Sequence, residues 1–286
     1  MLLKNIREKA IEYLKSYNSD SPEADSGLII MYVLKIDKTA LLLGNMDVSV
    51  TDEEKIQECL FRLAKGEPVQ YVVGECEFMS LPFYVGAGVL IPRLDTEVLV
   101  EEILKRLEKI KEPTIADLCC GSGCIGISLG YYLKDSKVKG FDISSLALDT
   151  ARRNAERNRV SGRVEFFQID LMNDSILEDF DCVVSNPPYI PSYIINSLDA
   201  KVKNFEPLSA LDGGKSGLEF YERISAVAPV KKGGIIAFEI GYDQGKEVAE
   251  ILDKNDYKDI EIIKDLENRD RVVTGISTKV RTADRS

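Results

Sequence analysis

From residue 94 onward, short β-prone runs alternate with amphipathic helical ones, and few architectures tolerate that rhythm. Thr114–Leu118, Lys137–Asp142, Arg163–Ile169, Phe180–Ser185 and Gly234–Ile240 each read as a short buried strand. Between them lie helical stretches. Thr96–Ile110 carries Val98, Leu99, Ile103, Leu104 and Leu107 on one face, a second begins at Cys124, and Ser145–Asn158 repeats Leu146, Leu148, Ala151 and Ala155. Strands alternating with helices predict an α/β fold with a doubly wound, mostly parallel sheet. Two more strands, near Ile260–Ile263 and Arg271–Ile276, are separated by a short turn and predict an antiparallel edge.

The first third has a different pattern. Leu3, Ile6, Ala10, Ile11 and Leu14 fall at helical spacing with charges between them. Ser21-Pro22-Glu23 reads as an N-cap with Pro at the first helical position, followed by the apolar run Leu28–Leu34. Thr51-Asp52-Glu53-Glu54 is a capping-box pattern leading into Ile56, Leu60 and Leu63, and Gly66 ends it. Residues 67–92 then bring Val69, Tyr71, Val72 and Val73, a break at Gly74, and Phe78, Leu81-Pro82-Phe83-Tyr84 and Val85. These β-prone pieces, broken by Gly and Pro, predict a hairpin. The expected organisation is a helical packing or docking domain over 1–66, a β-hairpin linker over 67–92, and the large α/β domain over 93–286.

Composition narrows the chemistry. The 286 residues hold 37 Lys and Arg against 48 Asp and Glu, so the net charge is 37 − 48 = −11. Such a chain is a poor general binder of phosphate backbones. Histidine is absent, which removes Ser–His and Cys–His nucleophiles, His–metal sites and imidazole bases together. What remains is carboxylates, amides, hydroxyls, thiols, backbone groups or a cofactor. Met1-Leu2-Leu3-Lys4 runs straight into a charged helical pattern and no apolar run has bilayer length, so a reducing cytoplasm with free thiols is expected. Cys119, Cys120 and Cys124 crowd one loop without a fourth ligand at a recognised spacing, so buried thiols, and no metal, are expected there.

Four motifs fall at strand ends. Asp117-Leu118-Cys119-Cys120-Gly121-Ser122-Gly123-Cys124 follows a strand and opens a helix, as a ligand-cradling loop does, although a tight β–α turn reads the same way. Asp142 ends the next strand about 20 residues later, where a carboxylate accepts from ribose hydroxyls; the competing role is a helix N-cap. Gln168-Ile169-Asp170-Leu171 offers an acid and an apolar neighbour, which either grip an adenine or cap the loop. Asn186-Pro187-Pro188-Tyr189 ends the fourth strand. Its prolines fix the chain direction and leave carbonyls free to accept, Asn186 offers a side-chain carbonyl acceptor, and Tyr189 offers a flat face. Two fixed acceptors beside an aromatic plate suit a planar NH₂ group. Such a nitrogen is a weak nucleophile, and acceptors on its hydrogens orient the lone pair and stabilise the charge that builds during attack.

These residues resemble the HemK/PrmC family of protein-glutamine N5-methyltransferases. The resemblance runs through Gln70-Tyr71-Val72-Val73-Gly74-Glu75, Ile91-Pro92-Arg93-Leu94-Asp95-Thr96-Glu97, Asn186-Pro187-Pro188-Tyr189, Glu206–Gly214 and Asp270-Arg271-Val272-Val273. It implies a Rossmann-like, seven-stranded class I domain with a small N-terminal helical domain and a hairpin linker. It implies S-adenosylmethionine as methyl donor, S-adenosylhomocysteine as product, and class-1 peptide chain release factors as protein substrate, the acceptor being the glutamine of a Gly-Gly-Gln segment. No membrane or sequence-specific nucleic acid is expected. For the cofactor, the resemblance points to Asp117, Cys120, Gly121, Ser122, Gly123, Cys124, Asp142, Ile143, Asp170, Leu171 and Asn186. For the substrate amide it points to Asn186, Pro187, Pro188 and Tyr189. Asn-Pro-Pro-Tyr is shared with enzymes that methylate adenine N6 or guanine N2 in nucleic acids, so that alternative stands, as does a non-catalytic nucleoside-binding module. One departure is Cys119, where the family usually has glycine. If that position needs φ > 0, cysteine costs roughly 1 kcal/mol or more.

Overall fold

The computed structural model describes residues 1–279. Five helices come first: α1 (Leu3–Ser16), α2 (Pro22–Leu34), α3 (Lys38–Leu43), α4 (Val50–Ala64) and α5 (Val69–Val73). Strands β1 (Glu75–Phe78) and β2 (Leu81–Tyr84) form a separate hairpin. The remainder runs α6 (Glu97–Leu107), β3 (Thr114–Leu118), α7 (Cys124–Tyr132), β4 (Lys137–Asp142), α8 (Ser145–Arg157), β5 (Val164–Gln168), β6 (Phe180–Ser185), α9 (Ala200–Phe205), α10 (Glu219–Val227), β7 (Val230–Glu239), α11 (Gly245–Lys254), β8 (Tyr257–Lys264) and β9 (Asp270–Ser277). Two compact units result. One is Met1–Glu75 with Asp199–Phe205; the other is Cys76–Leu198 with the chain from Glu206 onward. Among the described residues, no helix is long and apolar enough to cross a membrane.

In the helical unit, Leu3, Ile6, Ala10 and Leu14 lie on one face of α1 and are buried against Ile29 and Ile30 of α2 and Ile56 and Leu60 of α4. The cap of α4 is Ser49 rather than Thr51. The Ser49 hydroxyl accepts from the Asp52 amide at 3.1 Å and donates to the Asp52 carboxylate at 2.7 Å. Residues 69–73, expected as a β-prone piece, form helix α5. Pro68 precedes it, Gly74 (φ 82°) ends it, and Val69, Tyr71 and Val72 are buried. Burial of three side chains outweighs a strand propensity that spans only about 1 kcal/mol. The hairpin turn is made by Met79 and Ser80, both at positive φ (50° and 55°), the pair of left-handed residues that a tight type I′ turn needs.

The larger unit carries a sheet of order β5-β4-β3-β6-β7-β9-β8. Every pairing from β5 to β7 is parallel, and β9 lies antiparallel between β7 and β8. Successive strand residues face opposite sides, so Ile115, Cys182 and Val184 enter one core with Leu99, Ile103 and Ile127, while Ala116, Val183 and Ile236 enter the other with Tyr221, Ile224 and Val248. The hairpin belongs to this unit. Asn154 of α8 accepts from the Tyr84 amide at 2.7 Å and donates to the Tyr84 carbonyl at 3.1 Å, and Phe78, Leu81 and Phe83 are core residues.

Candidate active site

Strand order reverses between β3 and β6, and a doubly wound sheet opens a crevice beyond the carboxyl ends of the strands at such a point. The register makes those ends level, because Leu118 pairs with Phe141 on one side and Ser185 on the other. Cys119, Asp142 and Asn186 therefore leave the sheet along one edge. A cavity of about 280 Å³ sits there, bordered by the loops after β3, β4, β5 and β6 and by parts of segments 88–93 and 207–212.

Of the residues singled out from the sequence, Cys120, Gly121, Ser122, Cys124, Asp142, Ile143, Asp170, Leu171, Asn186 and Pro188 border the cavity. Asp117, Gly123, Pro187 and Tyr189 are not among its lining residues. Asp117 is fully buried, and its carboxylate accepts from the Gly126 amide at 2.8 Å. That satisfies one of the unpaired amides in the first turn of α7, whose N-cap Gly123 supplies no side chain. Asp117 thus serves as a helix-capping acid supplied from β3, set behind the residues that border the cavity. Burial pushes it up to about 7, against the pull of the Gly126 amide and with a further push from the Asp142 charge.

Cys119 has φ 57°, so the left-handed backbone asked of this position is real and a Cβ is held in it. Burial pushes the thiols of Cys119, Cys120 and Cys124 up, so all three stay protonated and none is a thiolate nucleophile. Gly121 also lies at positive φ (54°), and a Cβ there would meet nothing within 4 Å, so the loop leaves open space on its cavity side.

Asp142 accepts from the Gly121 amide at 2.8 Å and from the Ser144 amide at 2.9 Å, tying the loops after β3 and β4 together. It is not the N-cap of α8; Ser144 takes that place, accepting from the Ala147 amide at 3.2 Å. Burial raises the Asp142 carboxyl, opposed by the backbone amides around it. Asp170 caps its own loop, accepting from the Met172 amide at 3.0 Å and the Asn173 side chain at 2.7 Å, while it also borders the cavity.

Asn186 donates from Nδ2 to the Thr96 hydroxyl at 3.4 Å. The chain beyond it is held as a short arm. The Ile190 amide donates to Leu211 at 3.0 Å, the Gly213 amide to Ile190 at 2.9 Å, and Gln244 donates to the Tyr189 carbonyl at 3.1 Å. The Tyr189 ring packs towards the core cluster that holds Tyr221 and Phe238, and burial pushes its phenol up to about 12, so it is neutral.

Arg93, Thr96 and Glu206 entered the sequence reading only through the resemblance, without a site role, and Glu239 did not enter it. Arg93 borders the cavity and is paired with the buried Glu206, which also accepts from the Ile91 amide. Thr96 borders the cavity too, and Glu239, 1% exposed at the end of β7, lies behind it. Burial pushes Glu239 up to about 7; Thr96, Arg271 and Asn186 pull it down and Asp95 pushes it up. The available signal was a lone acid closing the otherwise apolar run Ile235–Glu239.

Residues 93–195 match the methyltransferase small domain family, and residues 5–74 match the PrmC N-terminal domain family. A release factor glutamine methyltransferase of Clostridium botulinum is 41% identical over 279 residues, covering 96% of this chain and 98% of that one. Its counterpart in Clostridium acetobutylicum is 39% identical over 282 residues, covering 96% and 99%. Among solved structures, a methyltransferase from Pyrococcus furiosus superposes with a TM-score of 0.52 at 19% identity, over 71% of this chain and 91% of that one.

Proposed function

Because this chain belongs to the release factor glutamine methyltransferase family, we propose that it methylates the side-chain amide nitrogen of the glutamine in a release factor's Gly-Gly-Gln segment. The observation that carries this is the setting of Asn186. Its amide borders the cavity with Nδ2 turned to Thr96, and no hydrogen bond to Oδ1 is found among the described residues. An acceptor oxygen is thereby offered to a planar NH₂.

The cavity suits S-adenosylmethionine. Its walls carry the carboxylates of Asp142, Asp170 and Asp212 against the single guanidinium of Arg93, a balance that favours a cationic guest. When bound, this cofactor supplies an electrophilic methyl group on a sulfonium. In this reading Asp142 accepts from the ribose hydroxyls, Asp170 and Leu171 hold the adenine, and Cys120–Ser122 lie along the methionine part. Asn186 Oδ1 and the Pro187 carbonyl accept from the glutamine amide and hold it edge-on. The attacking nitrogen would gain the methyl as the donor's sulfur–methyl bond breaks to leave a neutral thioether, and it gives up one hydrogen as a proton to water. Fixed acceptors and proximity are the protein's contribution, and no histidine is required. Tyr189 acts through the arm it belongs to. The helical unit docks the body of the factor. A substrate that ends translation places the reaction in the cytoplasm.

The test uses methyl-labelled S-adenosylmethionine with a purified class-1 release factor, tRNA, rRNA and DNA in parallel. Label should enter the release factor alone, and not a factor whose Gly-Gly-Gln glutamine is replaced by alanine. Asn186→Ala should lower turnover by about 10²–10³-fold while calorimetry finds cofactor affinity nearly intact. Label entering nucleic acid instead, or an active Asn186→Ala, overturns the reading.

A further inference from the structure

An amide side chain is two-faced. One end only accepts, the other only donates, and a half-turn about the Cβ–Cγ axis exchanges them at almost no steric cost. For Asn186 the two orientations have opposite consequences, since NH₂ facing a substrate NH₂ would set donor against donor. Something must hold the oxygen outward.

The groups behind Asn186 do so by hydrogen count. Thr96 is 2% exposed and Glu239 is 1% exposed. An ionised Glu239 accepts only, and the Thr96 hydroxyl hydrogen and the Asn186 NH₂ both favour that form. The Thr96 oxygen then has only lone pairs to offer, so the end of Asn186 that faces it must be NH₂, as observed at 3.4 Å. Arg271, reaching the same region from β9, favours the ionised carboxylate, and its own Nη2 is paired to Asp95 at 3.0 Å and Asp265 at 3.3 Å. The other titratable groups facing Glu239 are Asp95, whose charge opposes its ionisation, and Tyr189, Tyr221 and the Cys124 thiol, which burial keeps neutral.

We infer that Glu239 and Thr96 are positioning residues that lock the flip of the Asn186 amide, so that its oxygen and not its NH₂ meets the substrate. The inference rests on Asn186 serving as an acceptor for the substrate amide. It carries a built-in pH dependence. A protonated Glu239 becomes a donor to Thr96, the Thr96 hydroxyl turns to donate to Asn186, and the amide inverts. Activity therefore falls on the acid side as Glu239 gains its proton.

The experiment measures kcat, KM for the release factor and cofactor affinity across pH for the wild type, Thr96→Val, Thr96→Ser and Glu239→Gln, with Asn186→Ala alongside. Thr96→Val should lose at least about tenfold in kcat with KM and cofactor affinity within about twofold, the signature of an interaction used in the reaction and not in binding. Thr96→Ser, which keeps the hydroxyl, should recover most of that loss. Glu239→Gln should abolish the acid limb of the kcat profile. Should Glu239→Gln fail to fold, Thr96→Val serves in its place, because without the hydroxyl only the direct pull of Glu239 on the Asn186 NH₂ remains and the limb must shrink. Wild-type kcat and an unaltered acid limb in Thr96→Val would overturn the inference while leaving the acceptor role of Asn186 intact. An active Asn186→Ala would instead remove the premise.

Discussion

Cys119 is a non-glycine residue at φ 57° in the loop that borders the cavity, and that geometry makes a quantitative demand. A Cβ in the left-handed region costs about 1–2 kcal/mol. Replacing Cys119 by glycine relieves that cost but also deletes a thiol packed partly against the core around Phe141 and Tyr221, so the single variant mixes two effects of similar size. The informative comparison is Cys119→Gly with Cys119→Ala, because both delete the thiol and only alanine keeps the Cβ. At an ordinary position alanine would be the more stable by about 0.4–1 kcal/mol through the unfolded chain. Here the steric term opposes that and exceeds it, so glycine should be the more stable by about 0.5–1 kcal/mol. Urea unfolding of both variants, with midpoint and slope recorded, measures the difference. Equal m-values would show that the folded states, not the compactness of the unfolded ones, differ. Alanine as stable as glycine, or more so, would refute the claim that this backbone is strained. Cofactor affinity should be nearly equal in the two, since both lack the thiol and share the same loop conformation.

Two further outcomes follow from the acids of the site. Asp142→Ala removes the acceptor shared by the Gly121 and Ser144 amides, and should weaken S-adenosylmethionine binding by about 10–100-fold in calorimetry; an unchanged dissociation constant would strike Asp142 from the site. Asp117 titrates near 7 in the folded protein, raised from 3.8 first by burial. Its contribution to stability is therefore complete below pH 3.8 and is lost as pH rises through about 7. A rise of about three pH units corresponds to at most about 4 kcal/mol. Asp117→Asn keeps an acceptor for the Gly126 amide but cannot ionise, so between pH 5 and 8, two reference values chosen to bracket about 7, it should lose less stability than the wild type. Parallel slopes for the two proteins would show that Asp117 does not titrate in that range. Glu239 titrates nearby in both, so the difference between the two slopes isolates Asp117.

What the chain's order alone decided is the part governed by short-range physics. Alternating strand and helix runs dictate a doubly wound sheet, and a strand that closes on Asp117–Gly123 must deliver its loop to the carboxyl edge, where Asp142, Asp170 and Asn186 also end their strands. Periodicity and turn chemistry are local, so they are readable without coordinates. Tertiary structure decided the rest. Residues 69–73 are helical because their burial overrides strand propensity. Asp117, two positions before the cavity residue Cys119, turns inward to cap α7, while Thr96 and Glu239, separated from Asn186 by 90 and 53 positions (186 − 96 and 239 − 186), come up behind its amide. Which carboxylate faces a ligand and which faces a helix end depends on side-chain direction across a strand register, and that is set by long-range pairing.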